Sequence, residues 1–398
     1  MKKLIIKNTA LVLAGAVSEN RTVLVEDGVI ADVDHRGEIP ADARVIDAEG
    51  AYLLPGFVDL HVHGGGGADF MDATPEAFEV AVRTHLAHGT TLLYPTAMSA
   101  TEADLAAFIR AYRAFRQESA LAKAAPGLHL EGPYFAGAGQ RSSGAQPTDV
   151  LRLPDLAEVE RLLALGDGAI ARWDAAPELT GACEFAAYLK ERGVLTAVGH
   201  TDATAAECAE GYAHGFSHTT HFYNGCSMHR KREQTVYAGV VEATYLDDNV
   251  TIELIGDGCH IPREDILLAM KIKGAEAVSI ITDGTRLSGT DAKSGKLGSL
   301  TAGRDVIVEA GVAKLPDRSS FAGSIATMDR CLRVLCADYG IDLPTASVLL
   351  SLAPAKRMGV ADRKGSIAVG KDADLVLVDA AYSVKTVLLG GVPAEELA

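Results

Sequence analysis

The residues able to do chemistry in this chain come in short clusters, most of them at the end of an aliphatic run. Phe57-Val58-Asp59-Leu60-His61-Val62-His63 reads as a strand with His61 and His63 two apart. That spacing puts both imidazoles on one face, aimed at one centre. Leu128-His129-Leu130-Glu131 ends a second run on Glu131, and Ala197-Val198-Gly199-His200 ends a third on His200. His218-Thr219-Thr220-His221 lies at a fourth, Asp257-Gly258-Cys259-His260 follows a fifth, and Ile280-Ile281-Thr282-Asp283 closes a sixth. A single HxH pair or strand-end aspartate is common in turns and packed interiors. Imidazoles and carboxylates collected from several strand ends are a different matter. They are the donor set of a hydrolytic metal site, nitrogen and oxygen ligands with a position left open for water.

Such a site needs a scaffold that brings many strand ends together. The middle of the chain alternates between the two periods. Residues 74–88, 102–123, 156–163, 183–192 and 203–213 read as helices, the first opened by Thr74-Pro75-Glu76 with proline at the first helical position. Residues 90–94, 127–130, 194–198, 250–255 and 277–281 read as strands. Repeated strand–loop–helix units over about 300 residues predict a (β/α)8 TIM-type barrel, whose site lies where the strands end. The two ends have another texture. Short strands are expected at 4–6, 10–13, 21–26 and 29–33, with an Asp27-Gly28 hairpin, and again at 375–378 and 384–389. The expected division is a small β-sandwich domain from residues 1–54 plus 363–398 and a catalytic barrel from 55–362.

The 398 residues carry 37 Lys+Arg against 53 Asp+Glu, a formal charge of −16, so no chain-wide basic footprint for nucleic acid exists. A small anionic substrate would need a local basic pocket, and His229-Arg230-Lys231-Arg232 is the densest basic run. Six cysteines with no CxxC pair point to a reduced, cytoplasmic setting. Glu19, Asn20 and Arg21 stand where a signal peptide would be cleaved, and no apolar run is long enough to span a membrane. Gly64-Gly65-Gly66-Gly67 lacks the Gly-Lys-Ser/Thr ending of a phosphate loop and reads as backbone freedom beside the metals. His85 and His88, on a helix that stops at Gly89, are expected to serve the helix end or solvent.

Taken together, Pro55-Gly56-Phe57-Val58-Asp59-Leu60-His61-Val62-His63-Gly64, His129-Leu130-Glu131-Gly132-Pro133, Gly199-His200-Thr201, His221-Phe222-Tyr223-Asn224, Asp257-Gly258-Cys259-His260, Thr282-Asp283 and Phe321-Ala322-Gly323-Ser324 resemble the amidohydrolase superfamily. Within it they resemble the N-acetylglucosamine-6-phosphate deacetylases. The resemblance implies that Glu131, His200 and His221 bind the principal divalent metal, Zn²⁺ or Fe²⁺. It implies that His61 and His63 bind a second ion with Glu131 bridging, and that Asp283 is general base and then general acid. Asn224, Gly225, His260 and the Phe321, Ala322, Gly323 loop would contact substrate. Arg232 would bind its phosphate, reaching across a homodimer into the neighbouring site. Gln146 would contact substrate too; it stands where relatives usually carry a histidine, and glutamine can donate a hydrogen bond there but cannot carry charge. The activity implied is metal-dependent hydrolysis of the N-acetyl amide of N-acetylglucosamine 6-phosphate. A galacto epimer or another small acyl amide is the alternative.

Overall fold

The computed structural model describes residues 3–137 and 143–397, and the Arg232 side chain lies outside that description. Eight parallel strands pair in chain order: β1 Phe57–Val62, β2 Thr90–Ala97, β3 Leu128–Glu131, β4 Ile170–Ala175, β5 Leu195–Val198, β6 Phe216–Thr219, β7 Thr251–Ile255 and β8 Val278–Ile281. The row closes on itself. Asp283 N–H donates to His61 O at 3.0 Å and His63 N–H to Gly284 O at 2.7 Å, stitching β8 to β1. Asp59 reinforces that seam by accepting from the Thr282 hydroxyl at 2.5 Å and the Thr282 N–H at 3.2 Å.

Helices follow the strands and cover the outside. Glu102–Glu118 buries Leu105, Phe108, Ile109, Tyr112 and Phe115, one stripe at helical spacing, and Thr101 caps it by accepting from Asp104 N–H. The helix expected to run to 123 stops at Ser119. The Ser119 hydroxyl accepts from Leu121 N–H and starts a separate 3₁₀ segment, Ala120–Ala124. Strand β4 and the helices Val240–Leu246 and Arg263–Lys273 complete the alternation where the sequence pattern was not read.

The strands from both ends form one sheet beside the barrel, in which Tyr52–Pro55 pairs Leu375–Val378 and joins the two termini. The separate runs expected at 4–6 and 10–13 are one strand, Lys3–Leu13. It carries a register shift between Ile6 and Thr9, where Asn8 takes φ +56°, a value asparagine tolerates. The sheet has a core of its own around Leu4, Ile6, Val23, Leu53, Leu375 and Leu388.

The barrel interior departs from the aliphatic layers usual for this architecture. Alternation aims Asp59 and His61 of β1, His129 and Glu131 of β3, Arg172 and Asp174 of β4, His218 of β6 and Glu253 of β7 inward, and all are buried. The apolar alternates, such as Leu130, Trp173 and Leu254, pack outward in the main core under the helices. No helix among the described residues is long and apolar enough to cross a membrane.

Candidate active site

The strand-end histidines and carboxylates meet at the C-terminal mouth of the barrel. Glu131 Oε1 lies 2.8 Å from His200 Nε2 and 3.0 Å from His221 Nε2, and the two Nε2 atoms are 3.1 Å apart. On the other side, His61 Nε2 lies 3.2 Å from His63 Nε2, and Asp283 Oδ1 lies 3.2 Å from His63 Nε2 and 3.6 Å from His61 Nε2. Glu131 stands between the halves, its Oε2 3.4 Å from His63 Nε2 and 3.8 Å from His61 Nε2.

This donor set fits a divalent cation. Two imidazole nitrogens at 3.1 Å with a carboxylate oxygen beside both are spaced like ligands roughly 2.0–2.2 Å from one ion. The outer nitrogens fix the tautomers. His221 Nδ1–H donates to Asn224 O at 2.9 Å, and His61 Nδ1–H donates to Glu253 Oε1 at 2.9 Å, so each Nε2 turns its lone pair to the centre. A mixed nitrogen and oxygen set suits a first-row divalent metal rather than calcium or magnesium. Burial alone would raise the Glu131 and Asp283 carboxyls; in the absence of a cation, positive charge on the surrounding histidines outweighs it and holds both below their ordinary values.

The site opens into a cavity of about 160 Å³. Of the sequence-derived substrate residues, Gln146, Asn224, Gly225, His260, Phe321 and Gly323 line it. Asn224 Nδ2 is buried without a partner, an amide donor available to a ligand. His260 is held by Asp257, whose Oδ2 lies 2.8 Å from its Nδ1, and packs edge-on against the Phe321 ring at 4.7 Å. Gly323 has φ +64°, and a Cβ there would come within 3.0 Å of Asp283 O. Ala322 stands apart from this group. Its methyl packs behind the wall with Met98, Leu287 and Leu297, and its N–H bonds Ala313 O. Arg232 belongs to a two-stranded hairpin, Arg230–Arg232 with Thr235–Tyr237, and its side chain is outside the described atoms.

Two other expectations change. His85 is fully buried, and its Nε2–H donates to Gly64 O at 2.8 Å. Burial pushes its pKa down to about 4, so it is a neutral brace for the loop after β1 rather than a solvent-facing helix end. The glycines of that loop serve close approach as well as backbone freedom, for Gly66 and Gly67 take φ +64° and +93°. A Cβ on Gly64 would lie 2.3 Å from Ala68 O.

Beneath the ligands sits an ionic layer that sequence reasoning missed. Arg172 forks onto Asp174 at 2.9 and 3.0 Å and onto Glu253, with Thr220 bonded to Arg172, Asp174 and Glu253. Asp174 Oδ2 also lies 2.8 Å from His129 Nε2. Burial and the adjacent Arg172 charge push His129 down to about 3, so it is neutral. His61, His129 and Asp174 also converge, but the Arg172 guanidinium already supplies the positive charge there. A larger depression of about 1050 Å³ opens at the opposite end of the barrel, near Arg192, Ser217 and Arg357. Among the described residues it has no convergent ligand set, so chemistry rather than volume identifies the site.

A barrel with histidine and carboxylate ligands at its strand ends is the architecture of a metal-dependent hydrolase, and residues 52–393 match the amidohydrolase family. The chain belongs to that family. It is 32% identical over 381 residues to the N-acetylglucosamine-6-phosphate deacetylase of Bacillus subtilis (strain 168), covering 95% of this chain and 93% of that protein. It is 29% identical over 374 residues to the N-acetylgalactosamine-6-phosphate deacetylase of Escherichia coli O157:H7, covering 94% of each. A solved mutant of the Mycobacterium smegmatis N-acetyl-D-glucosamine-6-phosphate deacetylase, in complex with N-acetyl-D-glucosamine-6-phosphate, superposes with TM-score 0.88 at 30% identity, covering 99% of this chain and 100% of that one.

Proposed function

We propose that this chain hydrolyses the N-acetyl amide of N-acetylglucosamine 6-phosphate, releasing acetate and glucosamine 6-phosphate. The observation that carries the reading is Asp283 with Glu131, His63, His200 and His221 in one small cavity and His61 just beneath them, in a chain similar over nearly its whole length to deacetylases of such sugars. An acetamide resists water because its carbonyl is a weak electrophile and its amine a poor leaving group. Glu131, His200 and His221 would hold the principal divalent metal, Zn²⁺ or Fe²⁺, with His61 and His63 as a second position. Such a metal, when bound, polarises a carbonyl and acidifies water. Asp283 takes the proton of the attacking water and returns it to the departing sugar nitrogen. Asn224 Nδ2 is a donor to the sugar, His260 Nε2 accepts from a sugar hydroxyl because its Nδ1–H is committed to Asp257, and Gly323 leaves room beside Asp283.

Among the described residues, no lysine or arginine lines the cavity. The phosphate therefore draws on Arg232, carried on the hairpin of a second copy in a homodimer. Arg232→Ala is expected to raise KM about 10-fold or more for phosphorylated substrates, the loss of one charge-assisted contact, and to leave the unphosphorylated sugar unaffected. Steady-state kinetics on both forms check this, and an equal loss on both would make Arg232 structural.

A second reading is favoured by the E. coli relative, whose substrate is named as the galacto epimer. Acetate release by the Zn²⁺- or Fe²⁺-loaded protein is the deciding measurement, with the gluco phosphate, the galacto phosphate and the sugar without phosphate compared side by side. The gluco phosphate is expected to give the highest kcat/KM. A higher value for the galacto phosphate would replace the first reading by the second, and release from neither would sink both.

A further inference from the structure

We propose that Gln146 ranks the two cation positions, supporting the one at His200 and His221 and weakening the one at His61 and His63. The inference rests on the metal site proposed above and concerns which half fills first. Glu131 serves the halves with different oxygens. Its Oε1 faces His200 and His221 at 2.8 and 3.0 Å, whereas Oε2 faces His63 and His61 at 3.4 and 3.8 Å. Gln146 Nε2–H donates to Oε2 at 2.7 Å; the same nitrogen is 3.5 Å from His200 Nε2, the outer limit of a hydrogen bond, so its hold is on Glu131.

The Gln146 amide cannot turn over. Its Oε1 accepts the Ser99 backbone N–H at 3.0 Å, just past the end of β2, and the residue is 3% exposed. Reversed, it would set a carbonyl against the Glu131 carboxylate and an NH₂ against a backbone N–H. Both hydrogen bonds would be lost and replaced by two repulsive contacts. The donor on Oε2 is therefore a fixed part of the site.

A hydrogen bond at that oxygen has two effects of opposite sign. It holds the carboxylate so that Oε1 keeps facing His200 and His221, and partners of this kind are worth about 10–100-fold in metal affinity. It also draws charge from Oε2 and fills one of its two lone-pair directions. Oε2 is the oxygen a cation at His61 and His63 has to share. A cation there competes with a neutral N–H that cannot move away, while a cation at His200 and His221 benefits from it.

Gln146→Met keeps the volume and removes the donor. Metal-stripped wild type and variant are titrated with Co²⁺, reading bound metal by mass spectrometry and site occupancy by visible absorption. The wild type is expected to bind its first ion at least about 10-fold more tightly than its second, and Gln146→Met to narrow that gap to about 3-fold or less. His200→Ala should remove the tighter event and His63→Ala the weaker one. If Gln146→Met does not fold, Gln146→Ala carries the same expectation. Equal affinities in the wild type, or an unchanged gap in the variant that folds, overturns the ranking. Binding that does not depend on His200 at all overturns the metal site itself, a different result.

Discussion

Asp283→Asn is expected to lower kcat by about 10²–10⁴-fold, the usual contribution of a positioned general acid–base group. The protein should stay folded, with its principal metal in place. The residue sits just past β8 with φ +48°, a left-handed conformation that asparagine accepts as readily as aspartate. Its N–H donates to His61 O and its carbonyl accepts from Ser324 N–H, so the backbone that closes the barrel is indifferent to the change. The amide is as large as the carboxyl, so Gly323 and the cavity wall need not move. What disappears is an oxygen able to take a proton from water and give it back to a sugar nitrogen. Asp283 lies against His61 and His63, not against His200 and His221, so its loss bears on the second cation position and leaves the first intact. Acetate release measured beside metal content separates these effects. One tightly held ion per chain with turnover lost is the expected pair of results. Turnover within about fivefold of wild type would mean that another group moves the proton.

The clustering of the candidate ligands is legible in the sequence because each stands at the end of an aliphatic run. His61 and His63, Glu131, His200, His221 and Asp283 follow or close strands, and a parallel barrel collects strand ends by construction. The layer beneath them was not legible, for a physical reason. In Ile170-Ala171-Arg172-Trp173-Asp174-Ala175 the charged residues alternate with Ala171, Trp173 and Ala175. Period two says that Arg172 and Asp174 share a face but not which face. The usual rule would send the charged side to water. Here Trp173 packs outward, stacked on Tyr134 with centroids 5.7 Å apart and edge-on to Phe185, while Arg172 points inward. That assignment depends on Glu253, 81 residues away, and so on closure of the barrel. Gln146 illustrates the same limit from a loop. The resemblance placed it near substrate, and the fold shows in addition that both ends of its amide are committed, to Ser99 and to Glu131.

The ionic layer makes its own large prediction, on stability. Arg172 is fully buried and is the shared cation of two fully buried carboxylates, Asp174 and Glu253. Burial alone would raise both carboxyls, but the guanidinium outweighs it and holds each below its ordinary value. Arg172→Met removes the charge and roughly keeps the volume, leaving two uncompensated carboxylates in a dry barrel. Breaking a buried pair in this way costs about 3–5 kcal/mol, which for a domain of this size is a fall in Tm of about 4–8 °C. The pH dependence carries the sign. In the wild type the depressed carboxyls contribute stability above about pH 4, the unfolded value, and lose it as pH falls further. In the variant their folded values move above the unfolded ones, so stability is lost as pH rises. The gap in Tm between the two proteins should therefore be wider at pH 8 than at pH 5. Adding Glu253→Gln to Arg172→Met takes away one of the stranded charges and should recover part of the loss, even though it weakens the acceptor that orients His61. Thermal unfolding of the three proteins at both pH values provides the measurement. A gap that does not change with pH, or a double variant no more stable than Arg172→Met, would mean that the layer holds the barrel by packing rather than by charge.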